Sequence, residues 1–96
     1  MPYIIQGFRD RFDEKINELI TLLKYSGEND GNVNYVITRI LNGAFSGQDG
    51  EWRYASLARA IGCVECVKQE MYRRQVAPYE NLAVYKNGDI VDYQNS

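Results

Sequence analysis

The chain has 96 residues, of which 45% are hydrophobic and 25% charged, and a formal net charge of −2. A chain of this length forms one domain with a modest core, and its composition is that of an ordinary globular protein. A sequence pI near 5.0 argues against the concentrated basic surface that grips duplex nucleic acid, although two or three local arginines or lysines could still neutralise one phosphate.

The opening MPYII reads as a short extended arm. Pro2 disfavours helix at the residue before it, and Ile4 and Ile5 are expected to dock on the core. The N-terminal sequence has neither the basic region nor the long apolar region of a signal peptide. A first helix is expected from Phe8 to Tyr25, because Phe8, Phe12, Ile16, Leu19, Ile20 and Leu23 recur at spacings of three and four. Asp10, Asp13 and Glu14 favour its N-terminal half and Lys24 its last turn, with Gly27 as the stop. The polar loop SGENDGN leads to a second helix with Asp30 or Asn32 as candidate N-cap. Val33, Val36, Ile37, Ile40, Leu41, Ala44 and Phe45 form its apolar side, while Asn34, Thr38, Arg39 and Asn42 fall mostly opposite.

A second loop, SGQDGE, precedes Trp52 and a long third helix from Tyr54 to Ala77. Pro78 is expected to end or kink it. In the tail, LAVYK, Asn87-Gly88 and DIVDY read as two short strands joined by a type I′ turn. No run approaches the length needed to span a bilayer. The expected architecture is mainly α: one helical domain over residues 1–96, three helices and a short C-terminal β-hairpin. A hairpin is marginal alone and the core is small, so a homo-oligomer is expected.

The segment Arg59 to Glu80 carries most of the chemistry. At about 100° per residue, Tyr54, Leu57, Ile61, Val64, Met71 and Tyr72 share one side, which is the expected core face. Lys68 falls in the same sector. Its stem either covers apolar surface with the ammonium in water, or the lysine is partly buried and paired with a carboxylate or a ligand phosphate. Glu65, Glu14 and Glu18 are the candidate partners. The opposite stripe holds Arg59, Gly62, Cys63, Cys66, Glu70, Arg73 and Arg74. Glycine at position 62 costs helix stability, about 1 kcal/mol relative to alanine, so another backbone or a ligand is expected to approach there. Glu70 and Arg74 form an i, i+4 ion pair in this reading.

Cys63 and Cys66 are the only cysteines, and histidine is absent. Zinc needs four ligands, so a metal site would require two subunits pooling their thiols. No βαβ pattern supports a thioredoxin-like role. Buried or interfacial thiols in a reducing cytoplasm are the plain reading. Eight tyrosines and one tryptophan lie among arginines and lysines. Such a mixture suits nucleotides, since guanidinium grips phosphate and rings stack on bases. It equally suits a protein interface. Catalytic motifs are missing. Asp13, Glu14, Glu18, Glu65 and Glu70 would hold Mg²⁺, as in all-α nucleotide pyrophosphohydrolases, only if they converged on one cavity.

At NYVITRIL (Asn34 to Leu41), AIGCVECVKQEMYRRQVAPYE (Ala60 to Glu80) and NGD (Asn87 to Asp89), the chain resembles a family of small uncharacterised proteins from phages and bacterial genomes. The likeness runs from MPYI to the NGD turn, with departures at Gly7 and in the SGQDGE loop. It implies no established activity. It does imply a host-cell cytoplasm setting and directs attention to interference with host defence and to nucleotide metabolism.

The leading expectation is a non-enzymatic binder of a small phosphorylated ligand, such as a nucleotide-derived defence signal. Arg39, Lys68, Arg73 and Arg74 would contact phosphate. Tyr35, Trp52, Tyr72 or Tyr79 would stack on a base, and Asn34 would read its edge. Catalytic residues, metal ligands, a cofactor, a membrane and duplex nucleic acid are not expected. The alternatives are a protein-binding inhibitor or structural interaction module, and an Mg²⁺-dependent all-α nucleotide pyrophosphohydrolase.

Overall fold

A computed structural model describes residues 2–27 and 29–94. Four α-helices follow in order: α1, Gln6–Tyr25; α2, Asp30–Phe45; α3, Tyr54–Met71; and α4, Ala77–Asn87. A π-helical turn, Tyr72–Val76, joins α3 directly to α4, and a single 3₁₀ turn, Val91–Tyr93, follows. The mainly helical class is therefore as expected, with α3, the π turn and α4 together forming the third long helix. The chain divides into two units, Met1–Gly62 and Cys63–Ser96.

In α1 the apolar spacing produces the helix as read from the sequence, beginning two residues earlier. Its N-cap, Ile5, supplies no side-chain acceptor. The arm is held instead by the Arg9 Nε, which donates to the Ile4 carbonyl at 2.9 Å. Ile4 and Ile5 remain exposed and do not dock on a core. Asn29, rather than Asp30 or Asn32, caps α2. Its side-chain oxygen accepts from the Gly31 and Asn32 amides at 2.9 and 3.3 Å. The cap gives the Gly31 amide a partner and adds to the bond that the Asn32 amide makes to the Asn29 carbonyl at 3.0 Å.

The loop between α2 and α3 is tightly drawn. Gly47 donates to the Glu51 carbonyl at 2.9 Å, and Gly50 to the Gly47 carbonyl at 2.8 Å. A Cβ on Gly47 would lie 2.8 Å from Asp49 Oδ1 and 2.9 Å from an Arg53 nitrogen. Both are ends of side chains that can swing aside, and the backbone demand for glycine in this loop falls at Gly50, whose φ is 78°.

Pro78 does not end the helix. Proline has no amide hydrogen to give, and its ring would press on the carbonyl four residues back, that of Arg74. The π turn widens the backbone just before it, with the Ala77 amide reaching the Tyr72 carbonyl, and the helix continues with proline in its first turn. The extra residue also moves the apolar row. One α turn beyond Met71 would fall Gln75, whereas the wide turn brings Val76 into that place.

The expected C-terminal hairpin is not formed, and among the described residues there is no strand. Leu82–Asn87 belong to α4, and Gly88, at φ 86° and ψ 153°, is its C-cap. Asn-Gly can serve as a hairpin turn or as a helix stop. Pro78 opens a helical segment close enough upstream to carry the chain to that stop.

Burial is sparse. Ala60, at 5% exposure, is the one buried hydrophobic residue among those described. In the first unit, concealment gathers around the α2–α3 corner, where Leu41, Phe45, Trp52 and Ser56 are half-buried. Arg59 lies over the Phe45 ring there, 5.4 Å from its centroid. The face of α3 expected to be core stays open: Tyr54, Leu57, Ile61, Val64, Met71 and Tyr72 are all exposed. Among the described residues, no two helices within the first unit pack extensively, and in the second the π turn and α4 touch as successive turns of one helix.

Removing the Asn29 cap tests this local account. Asn29→Ala is expected to cost about 1 kcal/mol and to lower the thermal midpoint by roughly 4–8 °C. Asn29→Asp should keep the wild-type midpoint in circular dichroism.

Candidate functional site

The residues expected to bind a ligand divide between the two units. Asn34, Tyr35, Arg39 and Trp52 belong to the first, and Lys68, Tyr72, Arg73, Arg74 and Tyr79 to the second. In the first, α2 sets Tyr35 and Arg39 one turn apart. The Arg39 guanidinium donates to the Tyr35 hydroxyl at 3.0 Å and lies 5.8 Å from the ring centroid. Asn34 faces Thr38, whose hydroxyl donates to the Asn34 carbonyl at 2.7 Å and lies 3.3 Å from its side-chain oxygen. Trp52 is half-buried in the loop, while Tyr35 and Asn34 are exposed.

In the second unit, Glu65 and Glu70 organise the polar side chains. Lys68 Nζ sits 3.1 Å from Glu65, and the Gln69 amide donates to the same carboxylate at 3.2 Å. Lys68 is thus paired with the glutamate one turn back, as one sequence reading proposed, but it is exposed rather than partly buried. Arg73, not Arg74, engages Glu70, with guanidinium contacts of 2.7 and 3.4 Å to its two oxygens. Both oxygens are addressed in a fork-like geometry. The Glu70 side chain is only 16% exposed, so among the described residues this is the best-sheltered ion pair. Arg74, Tyr72 and Tyr79 are exposed.

Hydrogen bonding to Gln69, and then to Lys68, holds the Glu65 carboxyl below the usual glutamate range. Gln69 received no weight in the sequence reading. Its signal was available, since it lies one turn beyond Glu65. A folded value below the unfolded one gives stability that is present above the unfolded pKa and lost as pH falls through the folded one.

Several expectations are corrected. Cys63 and Cys66 are free and exposed, not buried thiols. A Cβ at Gly62 would meet nothing among the described residues within 4 Å, so the expected close approach of another backbone is not seen within the chain. Among the described residues no three acidic or thiol groups gather as metal ligands. Asp13, Glu14 and Glu18 lie along α1, and within the first unit they do not converge.

Three concave places among the described residues lie elsewhere. One is formed by the arm and α1, from Pro2, Tyr3, Ile4, Arg9, Phe12, Asp13 and Ile16. A second, at the α1–α2 turn, includes Ile20, Leu23, Asn29 and Val33. A third is an open patch on the polar side of α1, from Glu14, Asn17, Glu18 and Thr21. None is lined by the nine expected ligand residues.

The structure therefore defines a mainly helical protein whose ion pairs and side-chain hydrogen bonds, among the described residues, join near neighbours in sequence and whose apolar rows stand open. Among the described residues, no helix is long and apolar enough to cross a membrane. The chain belongs to the family described as Domain of unknown function (DUF6899), whose model matches residues 1–90. No curated protein and no solved structure matches it. The likeness read from the sequence to an uncharacterised family is thus upheld.

The Glu65 pairing makes a direct prediction. In carbon-detected NMR titration, Glu65 should titrate below the ordinary glutamate value. Gln69→Ala should move it up toward that value, and an unchanged midpoint would remove Gln69 as the main cause.

Proposed function

We propose that this protein is a non-enzymatic helical interaction module that completes its fold against a protein surface. One observation carries the reading: nearly every large apolar side chain, on every helix, is exposed. Monomeric proteins seldom leave contiguous apolar surface open, and where it occurs it marks an interaction site. Exposed tyrosines on the same helices, among them Tyr35, Tyr54, Tyr72, Tyr79 and Tyr85, suit an interface as well, since one edge is apolar and the hydroxyl tolerates water. A phage protein that occupies a host factor, or a building block of a larger assembly, would have this character.

A second reading keeps the small phosphorylated ligand. It is favoured by the Tyr35–Arg39 pair, in which a ring and a guanidinium are already held together and could meet a base and a phosphate. Sequestering a nucleotide-derived defence signal would follow from it.

Calorimetry with mono-, di- and cyclic nucleotides separates the two. The interaction module should give no saturable heat up to high micromolar ligand. Saturable binding that Arg39→Ala abolishes would replace it with the second reading. A companion measurement uses an apolar dye. Its fluorescence per chain should rise on dilution, as covered faces open, whereas a flat and weak signal at every concentration would count against any association.

A further inference from the structure

We propose that Cys63 and Cys66, one turn apart on α3, form a two-coordinate site for a soft monovalent cation, copper(I). Both thiols are free and exposed. Both stand on α3 and belong to the second unit, so one stretch of helix holds the pair. They are the chain's only cysteines. Buried cysteines behave as inert apolar groups, whereas thiols on an open helix face can be reached by a metal ion from solvent.

Spacing separates a bridged ion from a disulfide. Residues three apart on a helix carry their Cβ atoms about 5–6 Å from one another. A disulfide needs about 3.5–4.5 Å, so closing one here would pull the helix out of shape. An ion held in line between two thiolates sets the sulfurs farther apart, about 4.6 Å for two metal–sulfur bonds of about 2.3 Å. Each sulfur then only leans toward the other from an undisturbed backbone.

The surroundings select the ion. Glu65, between the two cysteines in sequence, is engaged by Lys68 and Gln69. Glu70, one turn beyond Cys66, is engaged by Arg73. Histidine is absent from the chain, and among the described residues no third ligating side chain completes the set. Zinc wants four donors, and magnesium and calcium want oxygen. Two thiolates without further donors suit copper(I), a soft ion that thiolate ligands select. On binding, two S–H bonds break and two S–Cu bonds form. The two protons pass to solvent, and neither copper nor sulfur changes oxidation state.

Anaerobic titration of the full chain with copper(I), against a chromogenic copper(I) chelator, tests the proposal. One ion per chain is expected, with two sulfur neighbours in copper X-ray absorption and unchanged helical circular dichroism. Losing an outer partner of a metal ligand already costs about 10–100-fold in affinity, so Cys63→Ser and Cys66→Ser should each weaken binding by roughly a hundredfold or more. Both positions are exposed, so both variants should keep the wild-type melt. Absence of saturable binding overturns the proposal, as does wild-type affinity in either variant. An ion with three or more sulfur neighbours, or one shared between chains, overturns it too. So does a disulfide that closes within the chain under mild oxidation with helicity unchanged, since the spacing would then favour neither outcome.

Discussion

Everything in this protein depends on how its apolar helix faces are covered. A helix satisfies its own backbone, so each element can form without a neighbour as far as hydrogen bonds are concerned. Helices of 16 and 20 residues are nonetheless marginal in water on propensity alone. The Asn29 cap contributes about 1 kcal/mol, and an exposed pair such as Lys68–Glu65 adds roughly 0.2–1 kcal/mol. Covering one phenylalanine or isoleucine fully is worth about 1.5–3 kcal/mol. With Phe8, Phe12, Ile16, Ile20, Ile37 and Ile40 all open, coverage outweighs every polar contact in the chain.

The polar networks follow a different logic. Tyr35–Arg39, Glu65–Lys68–Gln69 and Glu70–Arg73 each join residues three or four apart on one helix. Contacts of this kind stiffen a helix and orient its charges, but they do not tie one element to another. They also occupy several groups that a ligand would have to recruit. Lys68 and Arg73 already have carboxylates, and Arg39 already has a phenol. An anionic ligand would need to compete with these partners, whereas an apolar surface would compete only with water. That contrast is why the interaction reading stands ahead of the nucleotide reading.

Much of the local structure was legible from residue order. The three- and four-residue spacing of Phe8 through Leu23 placed α1, and Val33 through Phe45 placed α2, because amphipathic periodicity is a local property. The tail was misread for an equally local reason. LAVYK is short, and Asn87-Gly88 fits both a hairpin turn and a helix stop, so only the continuation from Pro78 decides between them. The π turn was invisible, since its one-residue offset follows from how Pro78 is accommodated. The candidate site was the least legible part. Spacing assigns Lys68, Tyr72 and Arg73 to sides of one helix, but it does not say which side another surface will cover. Nor could it show that Glu70 would choose Arg73 over Arg74.

Concentration dependence of thermal unfolding tests the central claim most directly. If apolar faces are covered by association, folding and assembly are one equilibrium, and the midpoint must rise with chain concentration. Circular dichroism melts of the full chain, recorded from the most dilute to the most concentrated workable samples, should show that rise, with helicity lost on dilution. A cooperative transition whose midpoint and helicity stay fixed across the range would contradict the account.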